Sequence, residues 1–339
     1  MKLSKKILLP ISAVLLFLFF YTASFSQLTK RANTPIPGAN SNGFLEWLPN
    51  GYNTGTQRYP LMIYINGIGS TGDGSPGVQG IGGGLENHFT GGGYPHEQQR
   101  QGSWVDEYTV GGQSFRFVII TPQFLTPMHI KFPTPEEINA VINFAIANYR
   151  VDESRIYLVG QSQGAGSVWN YPGASSAYAR RIAAIVPFAG VSYPIEAKAN
   201  IIKYNSVAVW ALHNQFDAQV PSYFTNDYVD FINAPPPPPI PARKTIIVPF
   251  NPNGTPNTEH NIWFPYLTRQ LPETGLNIYQ WMLQYQRSVS RANAGDFQTI
   301  RFPANTVTLT GSGTGPNGSA TGFNWQKLSG PGGANFSNA

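Results

Sequence analysis

From about residue 60 the chain alternates short apolar, β-branched runs with segments of helical periodicity, and this limits the fold more than any other feature. The runs are LMIYI (61–65), FRFVII (115–120), RIYLV (155–159), IAAIVPF (182–188), VAVWAL (207–212) and TIIVP (245–249). Strands that are apolar at nearly every position, rather than at alternate ones, are buried on both faces, as in a parallel sheet between two helical layers. Two of the helices can be read directly. Thr134-Pro135-Glu136-Glu137 supplies an N-cap, a proline in the first turn and two acids at the positive end of the helix dipole. Ile138, Val141, Ile142, Ala145, Ile146 and Tyr149 then recur at helical spacing. The segment NIYQWMLQYQRS (277–288) places Ile278, Trp281, Met282 and Tyr285 on one face. The expected fold class is α/β, a mostly parallel sheet covered by helices on both faces. APPPPPIPARK (234–244) suits neither helix nor central strand and reads as a stiff surface loop.

The first 26 residues have the form of a signal peptide. Lys2, Lys5 and Lys6 precede the apolar run ILLPISAVLLFLFF, and Ser24-Phe25-Ser26 gives a small-x-small cleavage site before Gln27. The competing reading, an uncleaved anchor, meets a run shorter than the ~20 residues of a membrane span. The expectation is a secreted, extracellular, periplasmic or cell-surface protein, with no stable membrane span once the leader is removed. Without the three leader lysines, 19 of the 22 basic residues face 17 acids, so the mature chain is nearly neutral. There is no basic stripe, which argues against nucleic acid as a partner. With no cysteine, the chain has no disulfide framework, no thiolate nucleophile and no cysteine zinc site.

After about residue 298 the composition changes. TIRFPANTVTLTGSGTGPNGSATGFNWQKLSGPGGANFSNA alternates apolar and polar residues between glycine-rich turns, a β-sandwich pattern. Its "VTLTGSGT…NG…W…SGP" run resembles the opening strands of a PKD domain, an immunoglobulin-like module, with Trp325 as the core tryptophan. A whole sandwich needs roughly 80–100 residues, so the segment covers part of one. The organisation expected is a leader (1–26), an α/β domain (27–298) and a partial sandwich (299–339). The last of these would offer contact with glycans.

The chemistry turns on LVGQSQGAGSVW (158–169). Gly160-Gln161-Ser162-Gln163-Gly164 fits G-x-S-x-G, follows the strand RIYLV directly and leads into a helix-forming segment, the context in which a serine is presented on a sharp strand-to-helix turn. Such a serine needs a base, and the base an orienting acid, on loops after later strands and in the order serine, acid, histidine. LHNQFDAQVP after VAVWAL offers Asp217, and NPNGTPNTEHNIWFPY after TIIVPF offers His260. Glu196, Asp227 and Asp230 are alternative acids. His213, at a strand end, suits support of the acid loop better than reaction. Gly67-Ile68-Gly69-Ser70-Thr71-Gly72 matches G-x-G-x-x-G, but no helical pattern follows, which disfavours a dinucleotide site. Glycines after a strand equally let backbone N–H groups approach an oxyanion. His88 and His96 fall in a glycine-rich stretch without metal-ligand spacing.

The segments LMIYINGIG, IITPQ, VDESRIYLVGQSQGAGSVW, VWALHNQFDAQVP and EHNIWFPY, taken in this order, resemble a family of secreted α/β-hydrolases. That family includes predicted peptidases, feruloyl esterase-like and polyhydroxybutyrate depolymerase-like esterases. The likeness spans about 58–287. It implies an α/β-hydrolase fold and no cofactor. Ser162 becomes the nucleophile, His260 the general base and then acid, and Asp217 its orienter, while the N–H groups of Gln163 and Ile68 form the oxyanion hole. Trp263 could wall the substrate pocket. Three positions depart from the family pattern: Asn66-Gly67 for His-Gly in the oxyanion loop, His213-Asn214 for His-Gly before the acid, and Glu259 for the glycine before the histidine. The reading is an esterase working through an acyl-enzyme, with carbohydrate-linked acetyl or feruloyl esters as candidate substrates. The alternatives are a peptidase of the same fold, or an inert hydrolase fold that binds glycans or serves adhesion.

Overall fold

The computed structural model describes residues 27–77, 83–86, 95–125, 132–261, 269–287, 291–293, 307–308, 312–315 and 318–319. Residues 1–26, His88, Trp263 and Trp325 lie outside them. The elements of the α/β part are, in order, β1 (Gln27–Arg31), β2 (Ser41–Leu48), β3 (Tyr59–Ile65), α1 (Pro95–Arg100), β4 (Tyr108–Val110), β5 (Gln113–Phe115), β6 (Val118–Phe124) and α2 (Pro135–Asn148). There follow β7 (Val151–Gln161), α3 (Ser162–Ala174), α4 (Ser176–Ala179), β8 (Ala184–Phe188), α5 (Glu196–Tyr204), β9 (Ala208–Asn214), α6 (Tyr223–Asn233), β10 (Arg243–Ile247) and α7 (Ile278–Leu283). Eight strands form one sheet in the order β1-β2-β6-β3-β7-β8-β9-β10. The β1–β2 and β2–β6 pairs are antiparallel, and every pair from β6 to β10 is parallel.

The continuous apolar runs follow from burial on both faces. Along β3, Leu61, Ile63 and Ile65 enter one core and Met62 and Tyr64 the other, because successive side chains of a strand point to opposite sides. The first core is closed by α2, α3, α5 and α6, through residues such as Val141, Trp169, Ile202 and Tyr228. The second is closed by α7 and an aromatic layer containing Trp104, Tyr108 and Phe117. Each large apolar side chain so buried stabilises the fold by about 1.5–3 kcal/mol.

The helix start expected at Thr134 is a full capping box. Thr134 Oγ1 accepts from the Glu137 amide at 3.2 Å, and the Glu137 carboxylate accepts from the Thr134 amide at 2.7 Å. The segment 234–242 joins α6 to β10, and Asn233 brackets it by bonding both N–H and C=O of Ala242 at 2.9 Å; the last two residues of the run read as loop, Arg243 and Lys244, instead open β10. Three expectations need correction. The run 115–120 is not one strand: Phe115 closes the β4–β5 hairpin, whose turn Gly111-Gly112 has φ of 57° and 77°, and β6 starts at Val118. The C-terminal helix stops at Leu283, so Tyr285 lies beyond it and its carbonyl accepts from the Tyr157 hydroxyl at 2.8 Å. His96 is not in a loop; it lies on α1, fully buried.

A separate three-stranded antiparallel sheet consists of β11 (Arg291–Asn293), β12 (Ser312–Gly315) and β13 (Gly318–Ser319). It opens at Arg291, ahead of the residue 299 at which the composition changes.

Candidate active site

The parallel strands all run in the same direction, and Ile68, Ser162, Asp217 and His260 follow the C-terminal ends of β3, β7, β9 and β10. β7 ends at Gln161 and α3 starts at Ser162 without an intervening loop. The turn is possible because Ser162 adopts φ of +51°, a left-handed conformation that is strained for a non-glycine residue. The flanking glycines let α3 lie against the end of β3. A Cβ on Gly160 would stand 2.8 Å from the Ile65 carbonyl oxygen, and one on Gly164 only 2.1 Å from the same atom. On the other side, a Cβ on Gly67 would stand 3.2 Å from that of Ser162, so the loop after β3 passes directly over the serine. The Ser162 carbonyl is held by the Val191 amide, in the loop after β8, at 3.0 Å.

Two backbone N–H groups belong to the segments that flank Ser162. Gln163 is the second residue of α3, where an N–H has no partner within the helix. Ile68 opens a single 3-10 turn (Ile68–Ser70) just past Gly67.

Asp217 and His260 are brought together from separate loops, after β9 and β10. His260 Nδ1 lies 2.6 Å from Asp217 Oδ2. Asp217 Oδ1 accepts from the amides of Gln219 and Val220 at 2.8 and 2.9 Å. The Asp217 side chain is wholly shielded from solvent. Burial pushes its carboxyl up, but hydrogen bonds from His213, from His260 and from the two amides outweigh this and hold it well below the usual carboxylate range. The pair is therefore an ionised, hydrogen-bonded carboxylate fixing one nitrogen of an imidazole. The other nitrogen, His260 Nε2, is buried and has no hydrogen-bond partner among the described residues, Ser162 included.

His213, fully buried, places Nδ1 2.8 Å from Thr225 Oγ1 and Nε2 3.0 Å from the Val220 carbonyl, with Asp217 Oδ2 at 3.5 Å. Because a carbonyl only accepts, Nε2 carries a proton, and His213 supports the acid loop as the sequence suggests. The alternative acids are elsewhere: Glu196 and Asp227 lie on α5 and α6, and Asp230 pairs with Lys244 at 2.7 Å. Sequence reasoning gives no role to Asn214, whose buried side chain bridges the acid and histidine loops. Its one signal is its place beside the acid loop, where the family pattern has glycine. Among the described residues no cluster of His, Cys, Asp or Glu could hold a metal ion, and no helix is long and apolar enough to cross a membrane.

A mostly parallel sheet with helices on both faces, a strained serine between strand and helix, and acid and histidine loops after later strands together define an α/β-hydrolase fold. Residues 294–339 match a family model for a PKD domain, so the C-terminal segment is PKD-like. No curated protein sequence matches the chain. Among solved structures it resembles a thermostable esterase (20% identity, TM-score 0.49, 77% of this chain and 63% of that one). It also resembles the feruloyl esterase module from Clostridium thermocellum complexed with sinapinate (15%, 0.43, 63% and 75%) and a ferulic acid esterase (13%, 0.45, 72% and 95%).

Proposed function

We propose that the chain is a secreted serine hydrolase that cleaves carboxylic esters, with Ser162, His260 and Asp217 as its triad. The observation that supports this reading is a strained serine at the end of β7, crossed by the loop after β3, together with a buried Asp217–His260 pair on loops after later strands of the same parallel sheet. In the proposed cycle His260 Nε2 removes the Ser162 hydroxyl proton as Oγ attacks the ester carbonyl. The oxyanion is held by the amides of Gln163 and Ile68, and Asp217 stabilises the imidazolium. His260 then gives its proton to the departing alkoxide, leaving an acyl-enzyme. Water attacks the acyl carbon with His260 again as base, and the carboxylic acid leaves.

Exposed rings border the same edge of the sheet. Tyr193, two residues past Val191, is 68% exposed and meets the Phe224 ring edge-on at 5.7 Å, and Phe224 in turn meets the exposed Tyr223. Outward rings of this kind suit the part of an ester that stays in water, such as a sugar bearing an acetyl or feruloyl group. The PKD-like segment would add glycan contact, and residues 27–298 would be the catalytic domain.

The test is hydrolysis of p-nitrophenyl acetate and butyrate by the full chain and by Ser162→Ala. The mutant should lose about 10³-fold or more in turnover. Equal, near-background rates in both proteins would overturn the reading.

A further inference from the structure

The acid loop and the histidine loop leave the sheet from different strands, so something must fix them to each other if Asp217 is to meet His260. We infer that Asn214 is the positioning residue that does so. It is the last residue of β9, and no part of it reaches solvent. Its Nδ2 donates to the carbonyl of Asn257 at 2.9 Å and to that of Glu259 at 2.8 Å. Its Oδ1 accepts from the Phe216 amide at 2.9 Å. The orientation of the amide is dictated by these partners, because carbonyls only accept and an N–H only donates. One side chain thus grips the residue before Asp217 and the residue before His260.

The segment from Asn257 to His260 belongs to no strand or helix. Apart from the Asp217–His260 bond itself, the described contact that also ties this segment to the acid loop is the Ala218 amide on the Thr258 carbonyl, longer at 3.2 Å. The Asn214 bonds are shorter and charge-free, and the Asn214 side chain itself is buried, which suits fixing a distance. Loss of the clamp lets His260 shift relative to Asp217, and a misplacement near 1 Å lowers turnover by as much as about 100-fold. Asn214 touches no reacting atom in this scheme; it acts through the positions of its two neighbours.

The role rests on the ester-hydrolase reading for its kinetic test, so a second measurement reads the geometry directly. Asn214→Ala removes the clamp. Asn214→Asp keeps its shape but turns an acceptor toward the two carbonyls. Both should lower kcat on p-nitrophenyl acetate by about 10- to 100-fold with KM within about twofold. In both, the downfield proton NMR signal of His260 Nδ1–H should broaden or vanish while the methyl spectrum stays that of a folded protein. A kcat within twofold of wild type, with the downfield signal intact, would overturn the assignment for either variant. So would a kcat loss that tracks only the unfolded fraction, the signal persisting in the folded remainder. If the wild-type chain cleaves no ester, the hydrolase reading fails alone and the NMR signal still decides the role of Asn214.

Discussion

Replacing Gly164 by alanine tests whether the closeness of α3 and β3 builds the site. In an ordinary helix the change stabilises, by up to about 1 kcal/mol, because alanine has the higher helix propensity. Here the new Cβ would lie 2.1 Å from the Ile65 carbonyl oxygen and 2.5 Å from that of Asn66. Real Cβ contacts are essentially never under 3.0 Å, so helix and strand end must separate by at least 3.0 − 2.1, or 0.9 Å. Neither obstacle is a flexible side chain that could swing aside. Overpacking of this kind costs about 1–3 kcal/mol, occasionally more, and outweighs the propensity gain. At about 2–4 °C per kcal/mol for a domain of this size, Tm should fall by roughly 3–10 °C. Turnover should fall further than stability suggests, by at least about tenfold, because the displaced carbonyls lead straight into Gly67 and Ile68. The control is Gly55→Ala, at an exposed extended position where the nearest atom to the new Cβ is 4.0 Å away. It should leave activity intact and leave Tm level or slightly raised. Calorimetry and p-nitrophenyl acetate kinetics on both variants decide the matter. A Gly164→Ala protein with wild-type Tm and kcat would refute the packing argument, as would an equal loss in the control.

Two further outcomes concern stability alone. Burial pushes the His96 imidazole down from 6.5 to about 4, only partly opposed by its hydrogen bond with Gln99. The unfolded chain then binds a proton that the folded one refuses between about pH 6.5 and 4, so stability is complete above that window and lost as pH falls through it. The loss is about 1.4 kcal/mol per unit, roughly 3 kcal/mol in all, and the fall in unfolding free energy between pH 7 and 4.5 should be smaller by about that amount in His96→Gln; an unchanged slope would contradict the assignment. Arg287 donates to the carbonyls of Ile182, Asn205 and Ala179 at 2.6, 2.6 and 3.2 Å, so Arg287→Ala strands three acceptors and should cost about 2–4 kcal/mol in urea unfolding, with Arg287→Lys in between. A loss under about 0.5 kcal/mol in the alanine variant would show that water replaces the guanidinium freely.

The central sheet is legible because its strands are buried on both faces and leave unbroken apolar runs. What lies outside that rule is harder to read. In β2, Glu46 interrupts the run, yet it is buried, because Arg31 reaches it at 2.7 and 3.1 Å and the Tyr149 hydroxyl also bonds it. A buried carboxylate reads as a surface residue until its partner, 15 residues earlier, is known. By contrast, α6 carries its own signal in Thr225, Tyr228, Val229 and Ile232, spaced for one helix face and all buried, which a reading led by the strands passes over. Asp152 lies within β7 where the register against β3 shifts, its carboxylate taken up by Ser154 and Arg155.

The site divides along the same line. Ser162 can be read locally, since strand, glycines and helix are neighbours in sequence and the strain at φ of +51° follows from their junction. Asp217 and His260 can be read from order, since each follows a strand of the same parallel sheet and must emerge at the same edge. What joins them cannot. The Asn214 bonds cross 43 and 45 positions to carbonyls of residues whose side chains play no part, so no pattern of residue types records them. A backbone acceptor is present at every position, and only the fold selects which one a buried amide will meet. Residues that react are thus constrained by chemistry and visible as types, whereas residues that position them are constrained by distance and visible only in three dimensions. It follows that substitutions at Asn214 should look tolerable by size and polarity and still be costly, the asparagine-to-aspartate change most of all.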